Sequence, residues 1–229
     1  MTVLLVVAAV ALSLVVGAAW SLYLPLPARL KANGLAFGGG ALLSSLILEL
    51  FQPAIDITGA GPAALALLAG AVIFALVDHC VDEVWGARSG VGLLVAVSLD
   101  GLPENLVLGV ELIGASLREV LALAAAIFLS NLPEAAGGAQ RMAASGWSNR
   151  KILSIWSCAA LLLSAVTLAG NLLLDGAGAE TLGLIRAFTA GAITAALVTE
   201  LFPEAYRGDD DLTGVSSALG VVGAALLSQ

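Results

Sequence analysis

Long apolar stretches follow one another along almost the whole chain, and no other feature of the sequence limits the fold as strongly. Hydrophobic residues occupy 60% of the 229 positions, and charged residues only 11%. A water-soluble domain carries about twice that share of charge, whereas a helix needs about 20 mostly apolar residues to cross a bilayer. The sequence therefore predicts an all-α integral membrane protein, with a single transmembrane domain over residues 1–229 that is embedded in a lipid bilayer.

Turn-forming and charged residues divide the apolar sequence into eight segments. Pro25 and Pro27 follow the first segment, and the glycine-containing stretch 175–178 follows the sixth. The first segment has neither the basic start nor the cleavage site of a signal peptide, so we expect it to stay in the mature protein as a helix. The predicted helices, with approximate bounds, are 2–24, 34–54, 61–84, 90–113, 117–140, 152–174, 181–204 and 212–228.

The basic residues predict the orientation of these helices. Arg118 and Arg186 lie on one side of the predicted topology, and the other seven basic residues lie on the opposite side. Because positive loops stay in the cytoplasm, we expect a multi-pass plasma-membrane protein with both termini extracytoplasmic. Seven arginines against two lysines, with many acids, indicate a prokaryotic source. The net charge of −8 and the absence of basic runs exclude a nucleic-acid partner.

Two distant segments have closely similar sequences. Residues 36–54 and 187–205 are identical at nine of nineteen positions, including Glu49 with Glu200 and Phe51 with Phe202. Their helices, the second and the seventh, run in opposite directions in an eight-helix topology. The similarity predicts an inverted repeat of helices 1–3 and 6–8 around a central pair formed by helices 4 and 5. Chance similarity between two helices rich in alanine and glycine is the alternative.

Carboxylates lie near the centres of the two central helices. Such a group costs about 2.5–3.5 kcal/mol to insert, and all the basic residues lie at predicted helix ends or in loops. The acids therefore need a cation from solution, or they are protonated. Residues four apart share a helical face, and a proline kinks a helix and leaves a carbonyl without its donor. The predicted metal ligands are Asp100, Glu104, Ser130, Asn131 and Glu134, and the predicted helix kinks are at Pro103 and Pro133.

Other polar side chains are candidates for a cation pathway. At the end of the third helix, the functional interpretation is a transient exit site and the alternative is an ordinary polar helix end. Glu111 is interpreted either as an entrance residue or as a carboxylate at the membrane interface. The candidate pathway residues are Glu49, Glu200, Asp78, His79, Asp82 and Glu111.

These same motifs resemble the ZIP (ZRT/IRT-like) family of divalent metal transporters. The family's fourth-helix motif, His-Asn-x-Pro-Glu-Gly, corresponds to residues 100–105 (DGLPEN), and its polar pair followed by x-Pro-Glu corresponds to residues 130–134 (SNLPE). Residues 199–204 (TELFPE) are similar to the family's Glu-Glu-Leu-Ile-Pro-Glu. Eight helices with both termini outside also agree with the family. The resemblance covers the whole chain and identifies it as a divergent prokaryotic-type member that forms a homodimer.

The chain also departs from the family pattern. Asp100 stands in place of the family histidine, Gly101 replaces the asparagine, and helix 152–174 contains no acid. The last departure disfavours a second, bridged metal. An all-oxygen ligand set suits Mg, Mn, Fe(II) or Ca better than zinc.

The predicted function is transport of divalent metal cations of the zinc, iron or manganese class into the cytoplasm. The metal is the transported substrate, and we expect no resident cofactor. One alternative is a proton- or sodium-coupled carrier of another solute, in which the same acids relay protons. A degenerate family member with a structural or regulatory role is another. No pairing of a nucleophile with a base is recognisable, so we do not expect an enzyme.

Overall fold

Nearly all of the chain that the structure describes is helical. The structure is a computed structural model that describes residues 2–24, 27–85, 90–114 and 116–228. These residues contain no strand. Their helices are α1 (Thr2–Tyr23), α2 (Ala28–Thr58), α3 (Ala60–Trp85), α4 (Gly90–Gly114), α5 (Leu117–Ala144), α6 (Asn149–Leu174), α7 (Ala179–Gly208) and α8 (Thr213–Leu227).

The lengths and composition of these helices are those of a multi-pass membrane protein. Within the described residues, segments of α1, α2, α3, α5, α6 and α7 are long and apolar enough to cross a bilayer. Helix α4 has 25 residues, and the apolar α8 has 15. Large apolar side chains such as Leu65, Leu161 and Leu173 are exposed on the surface of the molecule. A surface of this kind suits lipid and not water.

Local sequence signals explain several helix ends. Ser116 and Glu119 form a reciprocal capping box at the start of α5, and the Ser148 hydroxyl accepts from the Lys151 N–H at the start of α6. Gly59 and Gly146 take positive φ angles of 86° and 85° where α2 and α5 end. This conformation has a low cost only for glycine. These residues therefore begin or end helices beside the short connections.

The predictions were wrong for the start of α2 and for the position of one basic residue, and α2, α5 and α7 each extend four residues beyond their predicted ends. Helix α2 begins at Ala28, six residues before the predicted start, because Arg29 and Lys31 lower the hydropathy without breaking a helix. Arg186 lies seven residues after the start of α7, and its side chain is only 11% exposed. The expectation that all basic residues lie at helix ends or in loops is therefore wrong for Arg186.

Helix packing is closest where glycines meet a neighbouring backbone. A Cβ atom at Gly40 of α2 would collide with the Ser217 carbonyl of α8, and one at Gly191 of α7 would collide with the Leu67 carbonyl of α3. Small residues of this kind allow helices in a membrane to approach closely. Helix pairs that pack together extensively are α2 with α8, α2 with α7, α1 with α5, α3 with α7 and α4 with α6.

Helices α2 and α7 each contain a π-helical turn that ends two residues before a proline. The turn in α2 spans Leu46–Phe51, and the turn in α7 spans Leu197–Leu201. The residue before each proline, Gln52 or Phe202, donates its N–H to the carbonyl five positions back. A proline has no N–H and its ring clashes with the carbonyl four residues back, which explains the wider turn. Such π turns are frequent at functional sites.

Candidate functional site

Glu104 of α4 and Glu134 of α5 form the centre of the site. Each follows a proline inside its helix, Pro103 or Pro133. Glu104 is only 7% exposed, and Glu134 is partly buried. The two carboxylates are close enough for the charge of Glu134 to act on Glu104. The fold therefore brings two acids from different helices together within the interior, where uncompensated negative charge is costly.

Two polar residues of α5 lie one turn before Glu134. Ser130 is fully buried, and its hydroxyl donates to the Ile127 carbonyl at 3.0 Å. Asn131 is 3% exposed, and its Nδ2 atom has no hydrogen-bond partner among the described residues. A buried amide without a partner is rare and calls for a ligand or a water molecule. The two ends of an amide are interchangeable in space, so Asn131 can offer an oxygen here.

The structure describes only the backbone of the predicted ligand Asp100. Its backbone belongs to α4, but its side chain lies outside the described residues. Its role as a ligand therefore stays a prediction. The same holds for Asp82, a predicted pathway residue, whose side chain also lies outside the described part of the chain.

A hydrogen-bonded group that the sequence did not single out holds α4 beside α6. The Asn105 Nδ2 atom donates to the Gly101 carbonyl at 2.9 Å, and the Thr167 hydroxyl donates to Asn105 Oδ1 at 3.1 Å. Both side chains are buried. Because Asn105 follows Glu104 directly, this contact fixes the rotation of α4 at the site. A threonine in an apolar helix was the only sequence signal for it.

One end of the site is formed by acids and an arginine, which we call the Arg141 cluster: Glu134, Glu200, Glu204 and Arg141. The Arg141 Nη1 atom donates to Glu204 Oε1. The charges of Glu204, Glu200 and Arg141 all act on Glu134. Glu200, the glutamate in the π turn of α7, is thus close enough for its charge to act on a central carboxylate, and its pathway role stays a prediction. One Glu200 oxygen is shielded from solvent.

At the other end a second group of acids also surrounds an arginine, and its ion pair is more deeply buried. We call it the Arg186 cluster: Glu49, Glu111, Glu119 and Arg186. The Arg186 Nε atom donates to Glu111 Oε1 at 2.5 Å, and the two side chains are 11% and 2% exposed. Glu49 is 5% exposed, and the charges of Glu49 and Glu119 act on Glu111. Glu111 is thus neutralised by a base of the protein itself. The sequence did not predict this ion pair.

The polar end of α3 lies on the surface. His79 Nε2 is 3.4 Å from Glu83 Oε1, and these side chains are 71% and 70% exposed. Asp78 is partly buried, and Cys80 is exposed. His79 is thus in contact with an acid one helical turn later on an exposed surface, and its pathway role stays a prediction.

A compact acidic group lies outside the predicted site. In the part of the chain that the structure describes, the one group of three potential ligand residues whose ligand atoms lie within 4.8 Å of one another is Asp209, Asp210 and Asp211. Asp209 accepts from Asn33 Nδ2 at 2.7 Å, which ties the α7–α8 connection to α2. Glu104 and Glu134 are neighbours, but among the described residues they do not belong to a group as compact as these three aspartates.

Comparison with models of protein families found no match, and no curated protein matches the chain. The chemistry of the site therefore has to be inferred from its own residues.

Proposed function

We propose that this chain carries divalent metal cations across a membrane into the cytoplasm, by way of the carboxylates between α4 and α5. The observation that carries the proposal is the burial of Glu104 beside a second acid, Glu134. A buried acid whose charged neighbour is another acid requires either a proton or a cation from outside the chain. A divalent cation neutralises both carboxylates at once.

The donor atoms point to a hard or borderline cation. Carboxylate oxygens and the partnerless amide of Asn131 are the groups available near Glu104 and Glu134. Oxygen donors suit Mn²⁺, Fe²⁺ and Mg²⁺, whereas zinc prefers nitrogen and sulfur. The proposed substrates are therefore of the zinc, iron or manganese class, with manganese and iron ahead of zinc. The ZIP-like motifs at residues 100–105 and 199–204 support the same class.

We also propose the inverted repeat that the sequence predicted. In such a repeat, α1, α2 and α3 correspond to α6, α7 and α8, and α4 corresponds to α5. The packed pair α2–α8 then corresponds to α7–α3, and the packed pair α1–α5 corresponds to α6–α4. Both corresponding pairs are packed in the structure. The π turns occupy corresponding places in α2 and α7. Gly40 and Gly191, which are matched in sequence, make matching backbone contacts. These three agreements support a two-fold relation between the halves.

The proposed direction of transport follows from the basic residues. The end of the molecule that carries the Arg141 cluster also carries Lys31, Arg150 and Arg207 in the predicted topology. Positive charge favours the cytoplasmic side. The Arg186 cluster is then the outer end, and both termini are extracytoplasmic.

Metal uptake by the purified protein in liposomes tests this proposal. Wild type should take up at least one of Mn²⁺, Fe²⁺, Zn²⁺, Co²⁺, Cd²⁺ and Mg²⁺, and Glu104→Gln or Glu134→Gln should abolish that uptake, because each removes half of the central charge. Glu180→Gln is the matched control, since Glu180 is an exposed residue in the first turn of α7. Absence of uptake of every metal by wild type, or full uptake by both central variants, would refute the proposal.

A further inference from the structure

The side of α5 that faces α7 carries an acid, a glycine and an arginine in helical register. Glu134, Gly137 and Arg141 are spaced by three and then four residues, so they lie along one face. A Cβ atom at Gly137 would be 3.1 Å from Glu204 Oε1 and 3.6 Å from Arg141 Nη1. The Glu204 carboxylate of α7 therefore lies over Gly137, between Glu134 and Arg141. Because Gly137 has no side chain, the Glu204 carboxylate can occupy the space above it.

Arg141 provides a positive charge next to these acids. It pairs with Glu204 and also acts on Glu134. Glu200 lies one turn before Glu204 on α7, and its charge also acts on the Glu134 carboxylate. Three carboxylates and one guanidinium thus lie in one group, at the place that a cation leaving Glu104 and Glu134 would reach next. The group contains no histidine or cysteine, so the available ligands for that cation are the carboxylate oxygens of these three acids, and Arg141 contacts one of them, Glu204.

Within the described residues, two arginine–glutamate pairs differ in their access to water. The Arg141 and Glu204 side chains are 62% and 39% exposed, whereas the Arg186 and Glu111 side chains are 11% and 2% exposed. A pair in contact with water is weak and exchanges readily, but a buried pair is costly to break. Arg141 is therefore the arginine that can leave its carboxylate and return to it.

We propose that Arg141 is a built-in competitor of the transported cation, an inference that rests on the proposed function. Without metal, its guanidinium neutralises Glu204. When a divalent cation reaches Glu134, Glu200 and Glu204, Arg141 moves away into water. Its return to Glu204 then displaces the cation and releases it. No bond other than ion contacts is made or broken in this exchange.

Binding and transport of Mn²⁺ by the full-length protein test this role. Arg141→Gln should bind Mn²⁺ on the order of tenfold more tightly than wild type, because the competitor is lost. The same variant should transport Mn²⁺ more slowly, because release becomes limiting. Arg141→Lys, which keeps the charge, should remain close to wild type in both measurements. Arg150→Gln is the matched control, since it removes the same charge at the same end of the molecule, from an exposed residue outside the cluster.

A measurement on the wild-type protein makes the test independent of how well the variants fold. Mn²⁺ should increase the modification of Arg141 by phenylglyoxal roughly twofold or more, because a guanidinium released from a carboxylate is freer to react. Modification of Arg150 should not change. If wild type binds Mn²⁺ but Arg141→Gln binds it equally or more weakly, or if modification of Arg141 is unaltered, the competitor role is refuted and the transport proposal stands. If wild type neither binds nor transports any metal, both are refuted.

Discussion

At the scale of single residues, the pair of Glu111 and Arg186 is a buried polar contact that the sequence did not predict. The two residues are 75 positions apart, and the structure joins them at 2.5 Å in the interior. A buried pair adds little net stability, but the loss of one member leaves an uncompensated buried charge. The pair therefore holds α4 and α7 together at this position.

Replacing Arg186 by methionine should destabilise the protein by about 3–5 kcal/mol, since Glu111 is then left unpaired. The double variant with Glu111→Gln should recover most of that loss. Unfolding of the detergent-solubilised protein measures both. Glu83→Gln, which breaks the exposed contact with His79, should change stability by less than about 1 kcal/mol. A fully stable Arg186→Met variant would contradict the buried ion pair.

At the scale of helices, the arrangement depends on glycines that allow backbones to touch. Gly191 and Phe188 of α7 meet Leu67 and Gly70 of α3, so this contact uses a glycine from each helix. Neither glycine leaves room for a Cβ atom, because the nearest atom is a backbone carbonyl oxygen in both cases. A carbonyl in a helix cannot move aside as the end of a flexible side chain can.

Gly191→Ala should therefore push α7 away from α3 and cost about 1–3 kcal/mol through overpacking. Gly61→Ala is the control, because no atom lies within 4 Å of a Cβ atom there. It should be neutral or stabilise the protein by about 0.5–1 kcal/mol, since alanine favours a helix more than glycine does. Thermal unfolding in detergent compares the two. Equal melting temperatures for both variants would show that α3 and α7 do not touch at Gly191.

At the scale of the whole molecule, the Arg141 cluster and the Arg186 cluster lie toward opposite ends of a row of acidic side chains. Glu104 to Glu111 and Glu134 to Arg141 are each seven residues, or about 10 Å along a helix. Helices α4 and α5 are consecutive and run in opposite directions in the predicted topology. The two clusters then lie on opposite sides of the central carboxylates, and their relation to the membrane depends on the orientation of the protein.

Labelling of single cysteines tests that orientation. In a background with Cys80→Ser and Cys158→Ser, Gly176→Cys in the α6–α7 connection should react with a membrane-impermeant maleimide on intact cells. Asp210→Cys in the α7–α8 connection should react only after the cells are opened. Both sites are exposed. Reaction of both sites from outside would mean that α7 does not cross the membrane, and a reversed pattern would place the Arg141 cluster outside.

Much of the secondary structure was predictable from the sequence because hydropathy and helix breaking are local properties. A run of apolar residues is read directly from the chain, and prolines and glycines show where the run ends. The helix starts were predicted less well where polar residues such as Arg29 and Lys31 continue a helix beyond its apolar part. The central acids were recognisable for the same local reason, since few carboxylates lie within long apolar runs.

The sequence by itself determined that the chain forms long apolar helices, that Glu104 and Glu134 lie inside them, and that two segments share nine of nineteen residues. Only the tertiary structure decided which charges meet. The pairing of Arg186 with Glu111 and of Arg141 with Glu204 depends on the rotation of each helix about its axis and on the close approaches that glycines permit. Rotation and approach are properties of packed helices, so no local pattern could have shown them.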